Sequence, residues 1–271
     1  MDGDASAVDS GGRAFAGRAA LYARYRRDYP AEFILRLRQF SRDGHGRLLD
    51  LGCGTGQLLL QLAGFFDDAV GIDPEPGMLR EAERAARERE VPNAQWIEAG
   101  SRDLEESALA LGCFDLVTVG TAFHFMEPRT TLAALQRIGD GVAVAYAGSP
   151  MWLHPDPWAK ALRGVLEARL GPLRDLDFTE EALGVCEATM HDLGYLGIER
   201  WEQSYEETID IDFVVGHILS ATSTQQIPPA QRRNFEDDVR SAITAVAPSG
   251  HVVETVVIRA IIASTERGGA G

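Results

Sequence analysis

The chain has 271 residues, 45% of them hydrophobic, and a formal net charge of −15 at pH 7. This length is normal for one α/β unit with an inserted cap, and the composition is sufficient for a large core. The acidic balance argues against a nucleic-acid duplex as partner, because phosphate binding requires a basic face. The first twelve residues do not resemble a signal sequence, and no apolar run is long enough to span a bilayer. We therefore expect a cytoplasmic protein that binds neither nucleic acid nor membrane.

The predicted elements begin with an N-terminal tail and helical cap over residues 1–46. Between residues 47 and 150, short apolar runs alternate with helical patterns, which is typical of a parallel sheet with crossover helices. Residues 151–271 contain two further strands separated by a helical excursion at about 207–248, and we predict that they complete the sheet and add a lid. The fold class is therefore α/β, a doubly wound Rossmann-like seven-stranded sheet, mostly parallel with one antiparallel strand. Strands are predicted over residues 47–51, 69–73, 94–98, 114–119, 142–147, 198–206 and 252–263, and helices over 56–65, 76–90, 105–111, 129–138, 155–170, 179–193, 212–221 and 229–246.

The most informative motif is a glycine-rich loop between the first strand and the helix that follows it, with Gly52 and Gly54 at its centre. Glycine permits a tight turn and lets a ligand approach the backbone N–H groups at the helix start. An ordinary turn would explain the loop alone. However, Asp73 ends the next predicted strand, where a carboxylate can accept both hydroxyls of a ribose. The combination predicts a ribose-containing ligand.

Spacing and charge distinguish between such ligands. The glycines alternate with single residues, whereas the dinucleotide fingerprint has two residues before its last glycine. Asp50 stands two residues before Gly52, where it would repel a pyrophosphate but attract an ammonium and a sulfonium group. S-adenosylmethionine carries both of these cations and no phosphate. The loop therefore favours S-adenosylmethionine over NAD.

Phosphate-binding and metal-binding patterns are missing from the sequence. Its single lysine, Lys160, does not follow a glycine-rich loop, which argues against a nucleotide triphosphatase. The three cysteines, Cys53, Cys113 and Cys186, have neither a disulfide framework nor a metal-ligand spacing. We expect an enzyme without a metal.

Four segments resemble the class I S-adenosylmethionine-dependent methyltransferases. Residues 48–57 resemble their glycine-rich motif, residues 70–79 their second strand and following turn, and residues 114–125 their fourth strand and the loop after it. Residues 22–30, with the pattern Tyr-x-x-Tyr-Arg-x-x-Tyr-Pro, are similar to the entry segment of the subgroup that includes trans-aconitate and quinone-pathway methyltransferases. The resemblance is specific over about residues 22–147 and looser beyond.

The resemblance implies a cofactor site in which the loop binds the methionine end and Asp73 the ribose. Met78 would pack on the adenine, unless it is simply a core residue of its helix. Ser101 and Arg102 would meet the adenine edge mainly through their backbone, and Gly120 would line the sulfonium. The implied cofactor residues are Tyr22, Arg26, Tyr29, Asp50, Gly52, Cys53, Gly54, Gln57, Asp73, Met78, Ser101, Arg102 and Gly120.

The N-terminal aromatic residues have two interpretations. Tyr22 and Tyr29 could close over the bound cofactor while Arg26 reaches its carboxylate. Alternatively, Tyr22, Tyr25 and Tyr29 recur at helical spacing and could share one face of a helix that packs on the core. We favour the first interpretation for Tyr22 and Tyr29.

His124 is the best candidate for a general base, because it follows the fourth strand beside the predicted methyl group. A base is required only if the acceptor arrives protonated. The alternative is that His124 only shapes the pocket. His154, Asp156 and Glu127 are weaker candidates. Trp152 and Trp158, which follow the fifth strand, could line an acceptor pocket or simply pack before a helix.

We therefore predict an S-adenosylmethionine-dependent methyltransferase that methylates an O, N or C atom of a small molecule, such as one of secondary metabolism. An NAD-type oxidoreductase on the same fold and an inactive cofactor-binding regulator are the alternatives. The excursion at about 207–248 would be a lid that selects the acceptor, or else an interface of a homo-oligomer.

Overall fold

The computed structural model describes residue 15 and residues 17–41, 44–101 and 111–267. Its strands form one seven-stranded sheet in the order β3-β2-β1-β4-β5-β7-β6. These strands are β1 (Arg47–Leu51), β2 (Asp68–Asp73), β3 (Ala94–Glu98), β4 (Phe114–Gly120), β5 (Gly139–Ala147), β6 (Leu196–Asp210) and β7 (His251–Ser264).

Nine α-helices flank or cap this sheet within the described residues. They are α1 (Ala19–Tyr25), α2 (Ala31–Arg38), α3 (Gln57–Leu62), α4 (Pro76–Glu88), α5 (Pro128–Ile138), α6 (Pro157–Leu170), α7 (Phe178–Leu193), α8 (Ile211–Ser220) and α9 (Arg232–Val246). Short 3-10 turns lie at Ala63–Phe65, Phe123–Phe125, Met151–Leu153, Thr222–Gln226 and Pro229–Gln231. The helix predicted over 105–111 lies, except for its last residue, outside the described residues.

The direction of the strands confirms the predicted fold class. Strands β1 to β5 pair in parallel, and β7 is antiparallel to both of its neighbours, β5 and β6. After β3 the chain crosses over to β4, which pairs with β1 at the centre of the sheet, so the strand order reverses there. In open α/β sheets, ligands bind at such a reversal, outside the carboxyl ends of the strands.

The burial pattern along β7 shows how the sheet is covered. From His251 to Val256 exposed and buried residues alternate, so one face of this half of the strand meets solvent. From Ala260 to Ala263 all residues are buried, because helices cover both faces. Apolar side chains pack on each side of the sheet, and a third cluster joins α6 to α8 and α9, the two helices of the excursion between β6 and β7.

The N-terminal region differs from the alternative in which three tyrosines share one helix. Helix α1 ends at Tyr25, and Arg26 already has extended backbone angles, with φ −95° and ψ 138°. Tyr29 lies in the segment between α1 and α2, before Pro30, which disfavours helical geometry in the preceding residue. The helical spacing of the tyrosines therefore continues past the end of the helix that carries the first two.

Candidate active site

The loop after β1 lies against the turn that follows β4. Gly52 has φ +70°, and a Cβ atom there would lie 2.6 Å from the Cβ of Ala122. The N–H groups of Gly52 and Cys53 donate to the carbonyl of Ile72 at 2.7 and 3.0 Å, which fixes the loop to β2. A side chain at position 52 would therefore displace the turn after β4.

Asp73 ends β2 and faces this loop. One of its carboxylate oxygens accepts the N–H of Gly54 and the other accepts the N–H of Glu75, both at 2.9 Å. Burial raises the pKa of Asp73, and the two N–H donors oppose that rise. Each oxygen retains a lone pair that can accept a ligand hydroxyl.

Asp50 is more deeply buried than Asp73, with 1% of its surface exposed. The hydroxyl of Thr118 donates to its Oδ1 at 2.7 Å, and the backbone N–H of Leu59 also donates to the carboxylate. Burial raises the pKa of Asp50 to about 7 despite these donors. A carboxylate this costly to ionise is suited to a cationic ligand, which would restore the ionised form.

Two adjoining cavities surround the loop. The larger, of about 320 Å³, runs along the carboxyl ends of β1, β2 and β4, and the smaller, of about 40 Å³, lies beside Asp50. They place together all predicted cofactor residues of the described chain, while Arg102 lies outside the described residues. These residues are Tyr22, Arg26, Tyr29, Asp50, Gly52, Cys53, Gly54, Gln57, Asp73, Met78, Ser101 and Gly120.

The N-terminal residues approach the cavities from two directions. Tyr22 extends from α1, and its ring lies 3.8 Å from the position of a Cβ atom on Gly54. The guanidinium of Arg26 lies 4.9 Å from the centre of the Tyr22 ring. Tyr29 enters from the segment before α2, where its hydroxyl lies 3.3 Å from Oγ1 of Thr121. Tyr22 and Tyr29 thus line the same site without sharing a helix.

A third cavity, of about 510 Å³, adjoins the cavity of about 320 Å³ at Tyr22, Thr121 and Phe125. His124 and Trp152 line it, as does the short turn Thr222–Gln226 of the excursion. A molecule in this cavity would lie directly beside a ligand in the cavity of about 320 Å³.

His124 is fixed by Tyr146 of β5. The Tyr146 hydroxyl accepts the backbone N–H of His124 at 3.0 Å and lies 3.2 Å from Nδ1 of its ring. Desolvation by the surrounding residues, with a smaller effect of Arg26, lowers the pKa of His124 to about 4, although part of the residue remains exposed. The imidazole is thus neutral at physiological pH and a much weaker base than a histidine in water.

Helix α1 is joined to α8 by several contacts. The guanidinium of Arg18 donates to the carbonyl of Ala221 at 2.9 Å and to the hydroxyl of Thr224 at 2.7 Å. Arg26 Nε donates to Ser220 Oγ at 2.9 Å. The Tyr25 ring lies where a side chain at Gly216 would be. Because of these contacts, the N-terminal cap and the excursion form one roof over the site.

Sequence reasoning missed three residues of the site. Thr121 lines all three cavities. Its position directly after Gly120, a predicted cofactor residue, could have identified it as part of the site. Arg27 and His217 line the small cavity. Arg27 forms a 2.5 Å ion pair with Glu207 and another with the buried Glu254. Glu254 is an acidic residue within a largely apolar strand. This pattern predicts a basic partner but does not identify Arg27 as that partner.

Two further searches covered the described residues alone. Within them, no group of three or more His, Cys, Asp or Glu side chains is arranged to hold a metal ion. None of the helices in the same residues has the length and apolar character needed to cross a membrane.

The sequence matches known methyltransferases over its central region. The family described as a methyltransferase domain matches residues 48–143. A probable S-adenosylmethionine-dependent methyltransferase of Saccharomyces cerevisiae is 31% identical over 108 residues, which are 40% of this chain and 36% of the yeast protein. A protein of Geobacillus, provisionally named a methyltransferase, is 35% identical over 86 residues, which are 31% of this chain and 32% of that protein. The matches thus span about a third of each relative's length.

Solved structures match the fold over most of the chain. A protein of Anaeromyxobacter dehalogenans, provisionally classed as a type II methyltransferase, has a TM-score of 0.61 and 18% identity, covering 89% of this chain and 97% of that one. Precorrin 8w decarboxylase of Methanobacterium thermoautotrophicum has a TM-score of 0.51 and 15% identity, covering 89% and 94%. At these identities the likeness shows the fold alone.

Proposed function

We propose that this chain is a class I S-adenosylmethionine-dependent methyltransferase and that it transfers a methyl group from S-adenosylmethionine to an O, N or C atom of a small molecule. The methyltransferase-domain match over residues 48–143 and the 31% identity to the yeast relative support the proposal. The observation that carries the proposal is the pair of buried carboxylates, Asp50 and Asp73, on either side of the glycine-rich loop. A pyrophosphate beside two carboxylates would be repelled, whereas a sulfonium and an ammonium group would be attracted.

The shape of the site also fits this cofactor. Gly52 and Gly120 line both cavities, and without side chains they leave their backbone open to a ligand. The cavity of about 320 Å³ extends from Gly120 past Asp73 to Met78. This is the path that a methionine end, a ribose and an adenine would need in sequence.

The residues of the site would divide the binding between them. Asp73 would accept the ribose hydroxyls with the lone pairs that its backbone donors leave free. Asp50 would face the cationic end from the small cavity, and Arg26 in the same cavity would bind the carboxylate. Tyr22 would cover the loop from α1. Met78 and Ser101, which line the larger cavity, would contact the adenine.

The bound cofactor supplies a methyl group that its sulfonium already activates. The protein then has to align the acceptor with that methyl group and exclude water. Thr121 and Phe125 line both the proposed cofactor cavity of about 320 Å³ and the proposed acceptor cavity of about 510 Å³, so this alignment would be made beside them. The roof formed by α1 and the excursion would keep water out.

Calorimetric titration of Asp73→Ala tests the proposal. Loss of two charged hydrogen bonds should weaken binding of S-adenosylmethionine by about 1–3 kcal/mol, which is several-fold to about a hundredfold in affinity. Asp192→Ala is the matched control, because Asp192 has an exposed side chain on α7 and only a weak contact with Arg129 at 3.8 Å. Unchanged affinity of Asp73→Ala would contradict the assignment.

The same titration, together with a turnover assay, distinguishes a methyltransferase from an NAD-type oxidoreductase and from an inactive regulator. Binding of NAD in preference to S-adenosylmethionine would support an oxidoreductase and overturn the proposal. Binding of S-adenosylmethionine without turnover of any acceptor would support a regulator instead.

A further inference from the structure

Arg26 lies between two of the cavities. It lines both the small cavity beside Asp50 and the proposed acceptor cavity of about 510 Å³. Its backbone is extended, because helix α1 ends one residue earlier, and its Cζ lies 4.9 Å from the centre of the Tyr22 ring. The hydrogen bonds of the guanidinium therefore decide which of the two cavities its N–H groups face.

The guanidinium of Arg26 has one anchored nitrogen and two open ones. Its Nε donates to Ser220 Oγ at 2.9 Å, whereas Nη1 and Nη2 make no hydrogen bond with any described residue. No Asp or Glu of the described chain forms an ion pair with Arg26, and burial, with a smaller effect of the Arg27 charge, lowers its pKa. A partly buried cation without a carboxylate partner favours an anionic ligand, which a guanidinium can bind through both Nη groups.

Ser220 presents a fixed lone pair to the Nε of Arg26. It is the last residue of α8 and is fully buried, with 0% of its surface exposed. Its hydroxyl donates its single proton to the carbonyl of His217 at 2.6 Å, so it must be the acceptor in the bond with Arg26. Because the guanidinium is planar, a fixed direction of the Nε–H bond also fixes the plane in which the Nη groups lie.

The end of α8 is in turn held by α1 and the residue before it. Arg18 donates to the carbonyl of Ala221 at 2.9 Å and to the hydroxyl of Thr224 at 2.7 Å, directly after Ser220. Residues 221–223 of the same segment line the proposed acceptor cavity. The excursion thus contributes a wall to one cavity and, through Ser220, orients a donor group in the other.

We propose that Ser220 is a positioning residue, which holds the Arg26 guanidinium so that its Nη groups bind the carboxylate of the cofactor. This inference rests on the proposed function and extends it to the excursion. The carboxylate shares a carbon atom with the ammonium group that Asp50 would attract, so both groups belong in the small cavity. Ser220 does not touch the cofactor. Without its hydroxyl, the guanidinium can rotate about the Cδ–Nε bond and lose the carboxylate.

Two adenosine thioethers test the proposal by calorimetric titration. S-adenosylhomocysteine carries the amino-acid end and 5′-methylthioadenosine lacks it, so the first alone can report on a carboxylate contact. Ser220→Ala should bind S-adenosylhomocysteine about threefold to tenfold more weakly than the original chain. Its affinity for 5′-methylthioadenosine should change by less than about twofold. Ser241→Ala is the matched control and should change neither affinity, because it removes the same hydroxyl from an exposed position on α9 of the excursion.

A double-mutant cycle determines whether Ser220 acts through Arg26. Arg26→Ala should weaken S-adenosylhomocysteine binding by about tenfold or more, and adding Ser220→Ala to it should weaken binding no further. Arg26→Lys keeps the charge but lacks the Nε–H and the planar fork, so it should show the same selective loss as Ser220→Ala. Arg26→Lys also decides the question if Ser220→Ala does not fold.

Three results would overturn the inference. Equal weakening of both thioethers by Ser220→Ala would show that the residue only supports the fold of the site. Additive effects of Ser220→Ala and Arg26→Ala would show that Ser220 does not act through Arg26. An unchanged affinity for S-adenosylhomocysteine in Ser220→Ala or in Arg26→Lys would show that the carboxylate does not need an oriented guanidinium. Failure of both thioethers to bind the original chain would instead refute the proposed function.

Discussion

Asp50→Asn should make the protein without cofactor more stable above neutral pH while weakening cofactor binding. Asp50 is buried at the end of β1, and its pKa is raised from 3.8 to about 7. Asparagine has nearly the same shape, and its oxygen can still accept the hydroxyl of Thr118. The substitution therefore removes the charge and retains the packing.

The magnitude follows from the difference between the folded and unfolded pKa. Below pH 3.8 the carboxyl group is protonated in both states. Between pH 3.8 and about 7 the unfolded chain loses its proton and the folded chain keeps it, so the free energy of unfolding falls by about 1.4 kcal/mol per pH unit. Above pH 7 the loss is complete, at about 4 kcal/mol or less.

The assay is urea unfolding from pH 5 to 9 without cofactor, followed by calorimetric titration of S-adenosylmethionine over the same range. The original chain should lose stability up to pH 7 and gain cofactor affinity through the same interval, because the cation restores the ionised carboxylate. Asp50→Asn should lack both slopes and bind more weakly. Glu88→Gln, which alters an exposed carboxylate in a surface ion pair, controls for a general charge effect.

Two results would refute this reasoning. A lower stability of Asp50→Asn than of the original chain at pH 8 would show that the buried charge is not costly. Cofactor affinity that does not change with pH in either protein would show that Asp50 does not face the cationic end.

Two further predictions concern the acceptor side. His124→Gln, which keeps an N–H donor, should retain more activity than His124→Ala, and neither should change the pH–rate profile between pH 6 and 9, since the pKa of His124 is about 4; loss of a limb near pH 6.5 in His124→Ala would instead establish a base. Hydrogen exchange of residues 207–248 should slow when acceptor and S-adenosylhomocysteine are both bound, with little dependence on protein concentration. Protection that follows concentration alone would identify this excursion as a subunit interface.

The sheet could be predicted because its signals are local. Continuous apolar runs such as residues 142–147, ended by a glycine, determine the strands of a parallel sheet with little help from distant contacts. The excursion before β7 also predicted a late antiparallel strand. The insertion of β7 between β5 and β6 is a long-range pairing, and no local signal in the sequence specifies it.

The roof could not be predicted in the same way. Tyr22, Tyr25 and Tyr29 have the spacing of one helical face, yet the helix ends before Tyr29, and spacing alone does not reveal that end. The bonds of Arg18 to Ala221 and Thr224 join residues more than two hundred positions apart. Neither residue type nor periodicity encodes such a contact in a single sequence.

Thr121 shows how the sheet side of the site differs from the side that α1 and the excursion form. It has φ +53°, which for a β-branched residue costs about 1–3 kcal/mol. Two bonds to β5 hold it there: its N–H donates to Ala145 at 2.7 Å, and its Oγ1 accepts the N–H of Ala147 at 3.3 Å. The proposed cofactor and acceptor cavities meet at Thr121. Its backbone is held by β4, which it follows, and by β5, to which it is hydrogen-bonded. The walls opposite come from α1 and the excursion, which can vary without disturbing that point. We therefore predict that acceptor choice depends on α1 and the excursion, whereas the alignment for methyl transfer depends on the sheet.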